Sequence, residues 1–184
     1  MILPIVAFGD PILKKVGKEI DKDYPKLQEL IKNMEKTMEH ANGVGLAAPQ
    51  IGLDIRLFII DSRLMMEEGE EHKGVKETFI NATILEETGK EWEFEEGCLS
   101  IPDIRENVSR KSNIKIKYFD KDFKEHIKEF DGLTARVIQH EYDHIEGILF
   151  TDHLKPLKRK MLKKKLRNIS EGKIKIGYRM KFPG

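Results

Sequence analysis

The stretch from Leu133 to about Glu146 limits the fold more than any other part of the chain. Leu133, Val137, Ile138, Ile145 and Ile148 make much of it apolar at helical spacing, which predicts a helix held inside the body of the protein. Asp131 is placed to cap its start and Gly147 to stop it. The same helix carries His140-Glu141-Tyr142-Asp143-His144. Residues four apart on a helix lie on one side, so the two imidazoles can grip one metal ion from adjacent turns. Glu141 falls about 100° round from His140, close enough to reach a water on that metal without being a ligand. This is the H-E-x-x-H arrangement of metal-dependent hydrolysis. Two core histidines beside a solvated glutamate are the plainer reading of the same letters, so the rest of the chain must supply a third ligand and a cleft.

A catalytic metal usually takes three protein ligands and keeps one position open. Cys98 is the natural third, with glycine before it and Leu-Ser-Ile-Pro after it. A lone cysteine is more commonly a small buried hydrophobe. His126, His153, Glu95 and Glu96 are the other candidates, and spacing does not choose between them. Because Cys98 is the only cysteine, an intramolecular disulfide is impossible, and the chain fits a reducing cytoplasm.

Upstream, Asp23-Tyr24-Pro25 reads as a helix start. Leu27, Leu30, Ile31, Met34 and Met38 give that helix one apolar stripe, and Asn42-Gly43 ends it. Gly43-Val44-Gly45-Leu46-Ala47-Ala48-Pro49-Gln50 follows. It reads as an ordinary tight turn, or as a cleft wall in which glycines admit another backbone and Gln50 is a polar handle. Strands are expected at Ile55–Asp61, Phe79–Leu85, Ile104–Arg110, Asn113–Phe119 and 123–130. Ile114, Ile116 and Tyr118 alternate with Lys115 and Lys117, the pattern of a sheet with one wet face. Residues 62–77, acidic and glycine-containing, read as an exposed loop. A last helix runs from Lys155 to about Ser170, and Ile174–Phe182 reads as a short terminal strand.

The length of 184 residues suits one domain, 1–184. No apolar run is long enough to span a bilayer, and the N-terminus lacks the basic leader of a signal peptide, so no membrane partner is expected. The net charge of +1 hides an asymmetry. Residues 155–184 hold twelve of the 33 Lys and Arg but one of the 32 Asp and Glu, leaving 21 basic against 31 acidic residues elsewhere. An acidic body with a basic tail suggests a polyanionic partner, set against the plainer reading of a solvated helix face.

At three separated stretches the chain strongly resembles the peptide deformylases. That family carries G-x-G-L-A-A-x-Q, E-G-C-L-S and H-E-x-D-H in this order. Here they stand complete as Gly43–Gln50, Glu96–Ser100 and His140–His144. The likeness extends along nearly the whole chain and is thinnest at 62–77 and after about residue 170. It implies an α+β fold, with antiparallel and mixed β-sheets packed around a central metal-binding helix flanked by N-terminal and C-terminal helices. It implies that Cys98, His140 and His144 bind one divalent metal, usually Fe2+, with Ni2+, Co2+ or Zn2+ also able to occupy the site. Glu141 is implied as general acid/base, and Gln50 (side-chain amide) and Leu99 (backbone N–H) as stabilisers of the oxyanion. Val44 and Ile138 are expected as walls for a methionine side chain, and Gly43, Gly45 and Gly97 as places where a peptide backbone lies alongside. The implied reaction removes the N-formyl group from the formyl-methionyl end of newly made polypeptides and releases formate, in a cytoplasmic monomer. A substrate emerging from the ribosome would make rRNA the polyanion for Lys158–Arg167. The competing enzyme reading is a zinc endopeptidase whose third ligand is a histidine or glutamate and not Cys98. A metal-stabilised binding module without chemistry is the competing non-enzyme reading.

Overall fold

Two sheets and two further helices accompany the helix that carries the histidines. The computed structural model describes residues 1–184. In chain order it comprises β1 (Ile5–Val6), α1 (Leu27–His40), β2 (Gly45–Ala47), β3 (Leu57–Asp61), β4 (Lys76–Cys98), β5 (Ile101–Phe119), β6 (Glu125–Asp131), α2 (Gly132–Ile145), α3 (Pro156–Ser170) and β7 (Met180–Lys181). Strands β2 to β6 form one antiparallel sheet in sequence order, and β1 pairs with β7 in parallel. The fold is α+β, as expected. No helix is long and apolar enough to cross a membrane.

The buried faces follow the sequence periodicities. In α1, Leu27, Ile31, Met34 and Met38 face inward against Leu46, Leu57 and Ile59 of β2 and β3. In β5, Ile114, Ile116 and Tyr118 turn inward to meet Phe58, Phe79 and, from α2, Ile138 and Ile145. The Phe58 and Phe79 rings stack at 4.8 Å, and Tyr118 lies 4.2 Å from Phe79. Helix α3 docks through Leu162 and Ile169 onto Ile101, Ile104, Val108 and Phe150. Helix α2 therefore has the sheet on one side and these clusters around it, and its histidines lie inside. It stops at Gly147, whose φ of +73° and whose approach to the Lys14 carbonyl, 2.5 Å from where a Cβ would stand, both require glycine.

Several boundaries differ from the sequence reading for local reasons. Asp23 does not cap α1. Asp21 accepts the Asp23 N–H at 2.9 Å, forming an Asx turn, and the helix begins only after Lys26 passes through φ +55°. Asp131 sits at the N-cap of α2 but makes no side-chain cap bond. The strands expected over 79–119 are parts of one long ladder, β4 with β5, turned back at Leu99-Ser100. Residues 86–91 are exposed on both faces and carry no apolar side chain, so they lack strand alternation. Their pairing is carried by backbone bonds and by opposite charges such as Glu86 across from Lys115 and Glu91 across from Lys111. Four register shifts bend this ladder. The 62–77 segment is not a plain loop: it contains 3-10 turns at Ser62–Met65 and Glu71–Lys73, then enters β4. Of Ile174–Phe182, only Met180 and Lys181 pair as a strand.

Candidate active site

Helix α2 delivers His140, Glu141 and His144, all buried, to one place. The two imidazole rings stand 5.2 Å apart at 74°, and His140 stacks on Phe150. The turn between β4 and β5 delivers Cys98 to the same place. The ligating atoms of Cys98, His140 and His144 lie within 4.8 Å of one another. Cys98 Sγ is 3.4 Å from His144 Nε2.

Gln50 is fixed with its amide aimed into this cluster. Its Oε1 accepts the Ala47 N–H at 2.9 Å, which leaves Nε2 facing Cys98 Sγ at 3.4 Å and Ser100 Oγ at 3.3 Å. Leu99 sits at the tip of the β4–β5 turn, and its N–H donates to no backbone carbonyl. Glu141 is buried, with Oε1 4.0 Å from His140 Nε2 and with Oε2 lacking any hydrogen-bond partner. Burial pushes its pKa up to about 7; the charge on His140 opposes this, and those on Glu96 and Asp143 add to it. Burial also pulls the His144 pKa well down, helped by the charge on His140. For His140, burial acts in the same downward sense, but its bonds to Cys98 and Glu96 outweigh it and raise the pKa well above the usual imidazole value.

Glu96 joins the site in a role that spacing alone did not assign. It is not beside the thiol as a ligand but behind His140, accepting from Nδ1 at 2.9 Å. Its carboxylate is held by Arg110 through Nε at 2.8 Å and Nη2 at 3.0 Å, and by Arg136 through Nη1 at 2.9 Å. Arg110 also reaches Asp143 at 2.9 Å, and Asp143 accepts from His153 at 2.7 Å. Arg136 donates to the Val108 and Trp92 carbonyls and lies 4.6 Å from the Trp92 ring centroid. Sequence reasoning missed both arginines. The available signal was Arg136 itself, a charge one turn before His140 on a helix expected to be buried. Of the other candidate ligands, His126 pairs with Asp120 at 2.7 Å, and Glu95 is tied to Arg105 at 3.0 Å. Neither they nor His153 join the Cys98 cluster.

A cleft of about 530 Å³ opens onto these groups. Gly43, Val44, Gly45 and Gly97 line it, with β2 as the unpaired edge of the sheet beside it. A Cβ on Gly45 would stand 2.4 Å from Glu141 Oε1, and one on Gly43 2.7 Å from Leu99 Cδ1. The expected wall residue Ile138 is displaced from this role: it is fully buried among the core aromatics, and its neighbour Val137 lines the cleft. Along a helix, consecutive residues point about 100° apart, so only one of the two can face the cleft. Met65, from the segment read as a loop, also lines the cleft, as do Ile176 and Tyr178 from the C-terminal segment.

The donor set fits a divalent transition metal. One thiolate and two imidazoles suit Fe2+, Ni2+, Co2+ or Zn2+ and not Mg2+ or Ca2+. The 3.4 Å between Cys98 Sγ and His144 Nε2 is close to the edge of a tetrahedron with metal–ligand bonds of about 2.0 to 2.3 Å. In the neutral ring that a metal requires, Glu96 accepting from Nδ1 selects the tautomer that leaves Nε2 free.

The chain matches known proteins over most of its length. The polypeptide deformylase family model matches residues 2–160. A peptide deformylase of Christiangramia forsetii is 57% identical over 190 residues, covering 100% of this chain and 97% of that one. One of Flavobacterium johnsoniae is 58% identical over 189 residues, covering 99% and 96%. The crystal structure of a peptide deformylase from Legionella pneumophila superposes with a TM-score of 0.81 at 39% identity, covering 94% of this chain and 98% of that one.

Proposed function

The chain belongs to the peptide deformylase family, and from that premise we propose how its own residues carry the reaction. It is a metal-dependent hydrolase that removes the N-formyl group from newly synthesised polypeptides and releases formate. A site that groups Cys98 with two histidines disfavours an endopeptidase with a histidine or glutamate as third ligand. In our reading Cys98, His140 and His144 hold the metal, and residues 1–184 act as one catalytic domain. When bound, a divalent metal supplies Lewis acidity and makes water nucleophilic at neutral pH. Glu141 takes a proton from the attacking water at its carboxylate and passes it to the departing amine. Its raised pKa of about 7 suits a group that must both accept and release that proton near neutrality. Gln50 Nε2–H and the Leu99 N–H meet the charge that develops on the formyl oxygen. Gln50 is already oriented by its bond to Ala47, so it needs no reorganisation. The peptide backbone lies along the β2 edge as an added strand, and Val44 and Val137 flank the methionine side chain.

The observation that carries this reading is the unpartnered, buried Glu141 carboxylate beside the Cys98-His140-His144 cluster. We further propose Fe2+ as the working metal, because a thiolate-imidazole set suits a soft, redox-active ion. We place the enzyme in the cytoplasm as a monomer, with the basic face of α3 against rRNA. The test is formate release from formyl-Met-Ala by anaerobically purified protein, with bound metal quantified. We expect stoichiometric iron and turnover that decays on exposure to air. Release of internal cleavage products without formate would overturn the activity, and equal half-lives with and without oxygen would remove iron.

A further inference from the structure

The C-terminal segment returns to the active site in an ordered way. From Ile174 to Phe182 the even-numbered residues turn inward and Lys173, Lys175, Arg179 and Lys181 turn outward, the alternation of an extended chain lying on a surface. Ile174, Tyr178, Met180 and Phe182 pack on two of the core clusters, and Ile176 lines the cleft. The segment is anchored by the parallel pairing of β7 with β1: the Ile5 N–H donates to the Arg179 carbonyl at 2.9 Å, and the Ala7 N–H to the Lys181 carbonyl at 2.8 Å. Both strands of this small sheet then reach the Leu99-Ser100 turn. The Phe8 N–H, just beyond β1, donates to the Ser100 carbonyl at 2.9 Å. The Tyr178 hydroxyl, just before β7, donates to the Leu99 carbonyl at 2.7 Å. Ser100 Oγ is held from the third side by Gln50. The turn that carries the Leu99 N–H is thus tied at three points, and none of them uses that N–H.

We propose that Tyr178 is a positioning residue for the deformylation reaction: its hydroxyl fixes the Leu99-Ser100 turn so that the Leu99 N–H stays aimed into the cleft. This rests on the reading that this N–H meets the developing oxyanion. Tyr178 lies beyond residues 2–160, the part matched by the family model. A two-residue turn between strands has little rigidity of its own, and a donor must stand about 2.7 to 3.1 Å from the oxyanion, held to within about 0.5 Å of that position, to be effective. Burial, with the charges on Cys98 and Asp103, raises the Tyr178 pKa well above that of a free phenol. The hydroxyl is therefore a donor at every working pH.

The test is Tyr178→Phe, which keeps the ring as a cleft wall and removes only the hydroxyl. In metal-loaded protein we expect kcat per bound metal on formyl-Met-Ala to fall about tenfold, a fraction of the loss when an oxyanion donor is deleted, with KM within about twofold. Amide hydrogen exchange at Phe8, whose N–H is bonded to the Ser100 carbonyl, followed by NMR on the Zn2+-loaded protein, should accelerate about tenfold while exchange in α2 is unchanged. Wild-type kcat with wild-type exchange at Phe8 overturns the proposal. So does a loss confined to KM, or a loss that tracks only the folded fraction. A wild-type protein that releases no formate would sink the family-based reading of Leu99 instead, and is recognised before the variant is made.

Discussion

Replacing Glu96 by Gln probes the support behind the metal-binding cluster without touching a ligand. The carboxylate is 4% exposed and accepts one bond from His140, two from Arg110 and one from Arg136. Gln has the same volume, but it offers one acceptor oxygen and turns an NH2 group toward donors. Arg110 keeps Asp143 as a counter-charge; Arg136, 2% exposed, keeps only carbonyls. Removing one partner of a buried ion pair costs about 3 to 5 kcal/mol, and the retained oxygen and Asp143 place this case near about 3 kcal/mol. The loosened His140 should also weaken metal binding by about 10- to 100-fold. Burial works to raise the Glu96 pKa, but the bonds from His140 and Arg110 outweigh it and hold the group well below the usual carboxylate range. A depressed pKa contributes stability that is complete above the unfolded value of about 4.3 and is lost as pH falls toward the folded one. The gap between wild type and Glu96→Gln should therefore be full at neutral pH and shrink below about pH 4.5. Urea unfolding of the metal-free proteins from pH 3 to 7, with a chelator competition for Zn2+, measures both effects. Equal stability at pH 7, or a gap constant down to pH 3, would refute this account of Glu96.

Glu141→Gln should retain bound metal while formate release falls by about 10²- to 10⁴-fold, the usual contribution of a general acid/base; metal retention with undiminished turnover would remove Glu141 from the proton path. Gly45→Ala should reduce kcat by at least about tenfold, because its Cβ would displace the Glu141 carboxylate now 2.4 Å from that position. Circular dichroism should show the fold intact, and unaltered kcat would mean that Glu141 has room to move. Charge reversal at Lys160, Lys163 and Lys164, all exposed on α3, tests the rRNA contact without disturbing Tyr178. Co-sedimentation with ribosomes should weaken and its salt dependence should flatten by about one unit of slope per lysine, whereas unchanged sedimentation would return α3 to a solvated face.

The parts of the fold that sequence made legible are those where one local pattern decides. The α1 stripe, the alternation in β5 and the apolar α2 all have a period that only one element satisfies. The β4–β5 ladder was harder to see because its middle is held by pairing across strands, and Glu86 to Lys90 carry no inward face to announce it. The start of α1 misled for a different reason. Asp21, Asp23 and Pro25 all carry turn or cap chemistry within five residues, but Asp21 accepts the Asp23 N–H and sets a turn there, and Pro25 has no N–H to give an Asp23 cap.

The site divides along the same line. Ligands and base sit within short motifs whose spacing is set by one helix or one turn, so His140, Glu141, His144 and Cys98 were legible as chemistry. Glu96 carried a wrong alternative, because a carboxylate two residues before a thiol has the composition of a ligand whichever way it points. Strand alternation alone puts Glu96 and Cys98 on one face, but only the register shift between Gly97 and Cys98 turns the thiol toward His144 and leaves Glu96 behind His140. Arg110 and Arg136 come from β5 and α2, far apart in sequence, and meet at Glu96 only once the sheet wraps the helix. Tyr178 is further removed, since its hydroxyl reaches Leu99 across 79 residues and depends on a two-residue strand pair. Chemistry was therefore readable where the groups share an element. The groups that hold the chemistry in place are distributed over β4, β5, α2 and the segment before β7, and only their packing brings them together.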